Sequence, residues 1–304
     1  QMAADFAIVR GRFSPSGESK AGEHLNAKGR FACEDCTGDA SFRGEARIES
    51  LELLWDKFYG DFKDQRPYIE IDGGYQREAD KLRLDRFHLS LRSVGRLELK
   101  GWVRHLLSDP GFDLEVQSDD LRLTGFYDFF IRDTFKTSYP LLGQVGIGGK
   151  GNLAIEAQGS LESFAAEGTL SLQQGEIRDK DGQWRLGPVA LDLPLRLHFP
   201  QAPKASPSEG SPVGRFSVRE VKTASSTIPE ISAAVVLWDN SLRFPEAIQI
   251  SLFGGSCVIE GLAWRDVVGA PMDFSLSVGL NDLQLLELTD AGLYLPEKTR
   301  PLTR

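Results

Sequence analysis

Chemistry in this chain would be sought first at its cysteines and at one cluster of glycines. Cys33-Glu-Asp-Cys36 is the one close cysteine pair, and Cys257 stands apart. Two thiols at this spacing can close a disulfide, supply half of a structural zinc site, or shuttle electrons where a helix N-terminus depresses one thiol's pKa. A zinc would need two further ligands, and His24 has no familiar spacing to the pair. No βαβ pattern surrounds it for redox work. The favoured reading is a disulfide across a hairpin tip, or unpaired thiols; a disulfide would imply an oxidising compartment. Cys257, after Phe253-Gly-Gly-Ser, reads as a small buried apolar residue.

Gly146-Ile-Gly148-Gly-Lys-Gly151 has the letters of a dinucleotide fingerprint. That fingerprint works as strand, turn, then helix, so that a pyrophosphate meets a helix N-terminus. Here the glycines follow a helical pattern and lead into a strand, and Lys150 is followed by glycine where a Walker A motif needs Ser or Thr. A turn and a Gly-rich strand start account for them. The four histidines, His24, His88, His105 and His198, are scattered; His88 and His198 fall on alternating strands, where a hydrogen-bonded face residue is the simpler role. Asp119-Asp120 reads as a turn. No G-x-S-x-G elbow, H-E-x-x-H helix or calcium loop occurs. The expectation is no enzyme, no metal and no cofactor.

The elements around these residues are set by composition and period. The 304 residues carry 35 Lys+Arg against 44 Asp+Glu, a net charge of −9, with 41% hydrophobic residues. Disorder over the whole length is excluded and the chain is long enough for a sizeable core, and nucleic acid is disfavoured as a partner, because no basic stripe offers phosphate neutralisation. The longest apolar run, Ala233 to Trp238, falls far short of the roughly 20 residues that span a bilayer. The N-terminus has no signal-peptide pattern and enters strand alternation at once, through Phe6 and Ile8. The end, from Pro296, is polar. The chain therefore reads as a piece of a longer protein, with any anchor outside it.

Strict apolar/polar alternation dominates, which puts leucines on one side of a strand and charges on the other. It places Leu82, Leu84, Leu89 and Leu91 in one strand, with a bulge at Asp85-Arg86, and then Leu97 and Leu99, Leu114 and Val116, and Leu121 and Leu123. Leu153 and Ile155, Leu170 and Leu172, and Leu191, Leu193, Leu195 and Leu197 continue it. Asp72-Gly-Gly, Gln174-Gly175 and Lys180-Asp-Gly182 read as turns of an antiparallel meander. Stretches 14–22 and 201–214 read as loops within one elongated β-rich body spanning 1–304. Tyr127, Phe130, Ile131, Phe135 and Tyr139 fit a helix over 127–142. Leu51 to Phe62 fits a helix or a bulged strand equally. Period alone favours a closed sandwich or barrel over an open groove.

Pro140-Leu-Leu-Gly143, the phrase from Gly151-Asn-Leu-Ala-Ile to Gly-Glu-Ile177, and Trp184-Arg-Leu-Gly-Pro-Val-Ala-Leu-Asp-Leu-Pro-Leu together resemble the AsmA-like proteins of diderm bacterial envelopes. Ile248-Gln-Ile-Ser-Leu-Phe-Gly-Gly255 and the segment from Pro271 to Leu285 are similar to the YdbH and TamB branches. The resemblance implies a mainly β fold, a long antiparallel meander curved into a taco-like groove with one or two short helices. It implies a periplasmic protein anchored in the inner membrane through a segment outside this chain. Its groove would conduct phospholipid between inner and outer membranes, the alternating apolar residues named above lining it. Partners would be phospholipid acyl chains and other envelope proteins at the groove ends. Cys33 and Cys36 are not part of the family pattern. The rival reading is a scaffold or chaperone for outer-membrane protein assembly, pairing client strands at its sheet edges.

Overall fold

A computed structural model of the chain describes residues 2–14, 20–35, 39–55, 58–106, 108–137, 140–160, 162–200, 210–223, 226–252, 254–265, 267 and 273–282. Period-2 sequence becomes strand throughout: the described residues form one large open antiparallel sheet of 19 strands with a single short helix. The chain runs as a meander. β1 (Met2–Phe13), β2 (Lys20–Glu34) and β3 (Ala40–Trp55) pair in succession, and β4 (Phe58–Asp61) folds back on the end of β3. β3 then pairs with β5 (Tyr68–Gln76), followed in order by β6 (Lys81–Leu91), β7 (Gly95–Arg104) and β8 (Gly111–Arg122).

After the helix come three long strands, β9 (Val145–Ser160), β10 (Phe164–Asp179) and β11 (Trp184–Phe199). The far part is built from shorter pieces: β12 (Gly214–Val218), β13 (Val221–Thr223), β14 (Thr227–Ile228), β15 (Ile231–Trp238), β16 (Ser241–Arg243) and β17 (Ile248–Leu252). β18 (Gly255–Arg265) and β19 (Asp273–Asn281) end it. β1 and β19 are the two edges, and each has one neighbour among the described residues.

Bulges bend the strands. β6 carries its extra residue where the sequence indicates, with Gly73 of β5 opposite Leu84 and Asp72 opposite Arg86. Three turns read from the sequence are instead inside strands, Asp119-Asp120 within β8 being one of them. Asp72-Gly-Gly lies within β5, where a side chain on Gly73 would bring its Cβ to 2.1 Å from the Arg83 carbonyl, so glycine serves close approach there. Gln174-Gly175 lies within β10 as a bulge, with Gln174 at φ +54 and the register slipping on both sides. A left-handed residue beside glycine suits a bulge as well as a turn, which is why the pair misleads. Lys180-Asp-Gly182 is a turn, with Gly182 at φ +70.

The helix occupies 123–135, not 127–142. It begins as α1 (Leu123–Phe126), continues through a π-type stretch (Tyr127–Arg132) and closes at Asp133–Phe135; Pro140–Gly143 forms a separate 3-10 turn. Leu123 therefore opens the helix and does not continue the strand. The i, i+2 spacing of Leu121 and Leu123 is met by a strand handing over to a helix with both side chains in one cluster. Tyr139 lies outside the described residues. In the ambiguous segment at 51–62, 51–55 and 58–61 are strand, with Trp55 opposite Phe58, and 56–57 lie outside the described residues. The loop at 14–22 ends earlier than expected, since β2 starts at Lys20, and the one at 201–214 gives way to β12 at Gly214; residues 15–19 and 201–209 lie outside the described part.

The hairpin between β15 and β16 shows how a polar residue pins the far strands to the long ones. Trp238 pairs with Ser241 across Asp239 and Asn240, at φ +48 and +60, the pattern of a two-residue type I′ turn. Asn240 is 1% exposed, and its amide acts as a surrogate strand. His198 N–H donates to Asn240 Oδ1 at 2.6 Å, and Asn240 Nδ2 donates to the His198 carbonyl at 2.6 Å. Asn240→Ala strands both backbone groups, and is expected to lower unfolding free energy by about 2 kcal/mol in denaturant melts. A variant as stable as the parent would show that water replaces the amide.

Candidate functional site: one apolar sheet face

Residues directly opposite in an antiparallel pair share a face, so the register traces each face from strand to strand. Leu82 lies opposite Val103 and Leu89 opposite Leu97, and Leu99 continues to Val116, Ile155, Gly168 and Leu195. A second row runs Leu153, Leu170, Leu193, and a third runs Leu121, Gly151, Leu172, Leu191. Leu84, Leu91, Leu114 and Leu197 fall on the same side. All the sequence-selected residues except Leu123 thus occupy one continuous face.

The face extends beyond the residues chosen from sequence. Phe6, Phe31, Phe42, Ile71 and Phe87 carry it toward β1. Val218, Ile248, Ile259 and Val278 carry it toward β19. The signal was present as alternation but diluted, because Gly29, Gly44 and Gly73 sit between the large residues in those rows.

The middle of this face is buried only in part. Leu91, Leu121, Leu193 and Leu195 are buried, while Leu82, Leu84, Leu97, Leu99, Leu114, Val116, Leu153, Ile155, Leu170, Leu172, Leu191 and Leu197 are half-buried. Full burial of such side chains is worth about 1.5–3 kcal/mol each, so a half-buried wall leaves part of a favourable contact unmade. The helix covers one end. Leu91, Val94 and Leu121 form a buried cluster flanked by Phe62, Leu89, Leu123, Phe126 and Phe130. Phe58 and Phe62 meet Phe129 edge-on at 5.9 and 4.9 Å, and Tyr127 Oη donates to the Leu142 carbonyl at 2.9 Å. At the opposite strand ends Phe164 stacks on Phe199 at 5.3 Å and meets Phe112 at a tilt at 5.7 Å.

The other face is polar and laced by cross-strand ion pairs: Lys28 with Glu49 at 2.6 Å, Arg43 with Asp72 at 3.0 Å, and Arg196 with Glu167 at 2.8 Å. Such exposed pairs contribute at most about 1 kcal/mol each and mainly hold register. His88 and His198 belong here. His88 faces Glu70 and Glu98, each at 3.2 Å, and His198 faces Asp239 at 3.2 Å. Tyr68 Oη lies 2.8 Å from Glu70 and 2.9 Å from Glu45. Hydrogen bonding to Glu70, then to Glu45, pushes the phenol up to about 12, so it stays a donor.

Several carboxyls are held below their ordinary values: Glu70 by the Tyr68 hydroxyl and then His88, Asp120 by Lys150, and Asp179 by the Trp184 backbone N–H. A native pKa below the unfolded one gives stability that is full above the ordinary carboxylate range and is lost as pH falls through the native value. The melting temperature should therefore be flat from neutral pH to about 5 and fall below about 4, less steeply in Glu70→Gln. An unchanged slope in that variant would remove Glu70 from the effect.

Cys33 is disulfide-bonded, Cys36 lies outside the described residues, and Cys257 is a buried free thiol. The glycine cluster at 146–151 lies entirely within β9, as extended strand, without the strand–turn–helix order that the dinucleotide fingerprint needs. Asp119 and Asp120 lie at a register slip within β8, before Leu121 and Arg122 resume the pairing with β9. Among the described residues no three His, Cys, Asp or Glu side chains converge on a metal position, and no helix is long and apolar enough to cross a membrane. Comparison with protein-family models, with curated proteins and with solved structures finds no match.

Proposed function

We propose that the apolar face is a wall for lipid acyl chains, and that the protein conducts phospholipid along its sheet between the two membranes of a bacterial envelope. The observation that carries the reading is the apolar face, continuous in register from β1 to β19, half-buried along its middle strands and exposed at its outer ones. A chain gains about 0.8 kcal/mol per CH₂ withdrawn from water, so a wall of Leu, Ile, Val and Phe suffices without a specific polar contact. The disulfide at Cys33 supports an oxidising compartment such as the periplasm. The resemblance of the 151–285 phrases to AsmA-like proteins supports the same setting.

A scaffold for outer-membrane protein assembly is favoured by a different observation. Both sheet edges are open among the described residues, and β19 is exposed along its whole length, with Phe274, Leu276, Val278 and Leu280 at alternate positions. Such an edge can accept a client strand. Native mass spectrometry with lipid extraction, on protein purified without detergent, separates the two. Phospholipid in defined stoichiometry supports the conduit; a folded protein that carries none, and takes up none when offered vesicles, rejects it and leaves the scaffold.

A further inference from the structure

On the polar side, at the strand ends nearest the helix, lies a hollow of about 450 Å³ that the acyl-chain reading does not use. Four guanidinium groups line it from four separate places: Arg66 before β5, Arg92 in the β6–β7 turn, Arg96 in β7 and Arg122 at the end of β8. Arg122 is engaged, donating to the Arg92 carbonyl at 2.8 Å and facing Asp120 at 3.4 Å. Among the described residues Arg66, Arg92 and Arg96 make no ion pair within 4 Å; Arg96 feels Glu70 only at longer range.

The carboxylates on the rim do not meet this charge. With Lys150, 3.0 Å from Asp120, five cationic side chains stand against the three carboxylates Glu98, Asp119 and Asp120. About two positive charges remain uncompensated in a chain whose net charge is −9. Gathering like charges costs free energy that an anion would recover. A neighbouring hollow on the same face shows the contrast: there Arg43 is paired with Asp72 at 3.0 Å and Arg30 faces Asp5 at 3.9 Å.

We infer that the Arg66–Arg92–Arg96 hollow binds a phosphate ester. The guanidinium fork matches two phosphate oxygens at once, and a phosphate monoester, with a charge near −2, balances the excess where a carboxylate would leave half of it. The phosphate could be a lipid headgroup or a soluble ester. Because the hollow is on the side opposite the apolar wall, its occupancy and the wall's are independent claims.

The test is calorimetric titration of the full chain with inorganic phosphate and with glycerol 3-phosphate, alongside co-sedimentation with phosphatidylcholine vesicles with and without phosphatidic acid. Arg92→Ala/Arg96→Ala should weaken binding about tenfold or more, Arg92→Lys/Arg96→Lys by less, and Arg30→Ala/Arg43→Ala not at all. All these side chains are exposed, and circular dichroism melts confirm that each variant folds. Loss confined to the vesicle arm assigns a lipid headgroup, and loss confined to the titration arm assigns a soluble ester. No binding in either arm, or equal loss in the Arg30/Arg43 control, overturns the site.

Discussion

Protein carrying Leu84→Asp, Leu153→Asp and Leu170→Asp together is expected to lose bound phospholipid almost completely while keeping its fold. The three side chains sit on β6, β9 and β10, on one face, and none is fully buried, so each aspartate keeps access to water. An acyl segment of three or four CH₂ groups that no longer meets apolar wall loses about 2–3 kcal/mol per site. Three sites together exceed a hundredfold in affinity. Leu89 and Leu91 are poor choices for this experiment, because Leu91 belongs to the buried cluster under the helix and Leu89 packs against it. Lipid content by extraction and folding by circular dichroism are read on the same samples. Retained lipid in a folded triple variant would place the acyl chains elsewhere.

The largest stability effect is expected at Gly125. This residue is buried in α1, and a Cβ there would lie 1.9 Å from the Ser93 carbonyl oxygen and 2.3 Å from its carbon. Those atoms belong to the β6–β7 turn, whose neighbour Gln65 is itself fixed: Ser93 Oγ donates to Gln65 Oε1 at 2.7 Å, and the Gln65 carbonyl accepts from the Arg92 N–H at 2.8 Å. Neither backbone can yield without moving the helix off Leu91, Val94 and Leu121. Gly125→Ala should cost about 3 kcal/mol by denaturant melts. Gly148→Ala is the matched control, since its nearest atoms are 3.8 Å away at the Glu176 Cβ and 4.0 Å at the Thr124 Oγ1. Its effect should stay within about 0.5 kcal/mol. Equal losses in the two would mean that the helix is not pinned at the turn.

How much of this was legible in the sequence depends on residue size. From Leu82 to Leu197 the apolar face is written in leucines two apart, and the register keeps nearly all of them on one side. Toward β1 the same face alternates Phe with Gly and Ala, as at Phe31 and Gly29, and its hydrophobic signal is thinner. Local signals failed where one motif serves two backbones. Gln174-Gly175 suits a turn or a bulge, and Leu121-Arg-Leu123 suits a strand or a strand running into a helix. The arginine hollow could not be read at all. Its residues come from β7 and three separate chain junctions, and no run of basic residues marks them. Openness was equally hidden, because alternation specifies that a face is apolar and leaves unsaid what covers it.

The central claim is that acyl chains lie against one face of this sheet. It is tested most directly by photo-crosslinking with a phospholipid that carries a diazirine in its acyl chain, followed by peptide mapping of the modified residues. The account predicts adducts on Leu84, Leu153, Leu170 and their row neighbours across β6 to β11, and none on Glu115, Glu156 or Glu167 of the opposite face. Adducts spread equally over both faces, or confined to the edge strands β1 and β19, would contradict it.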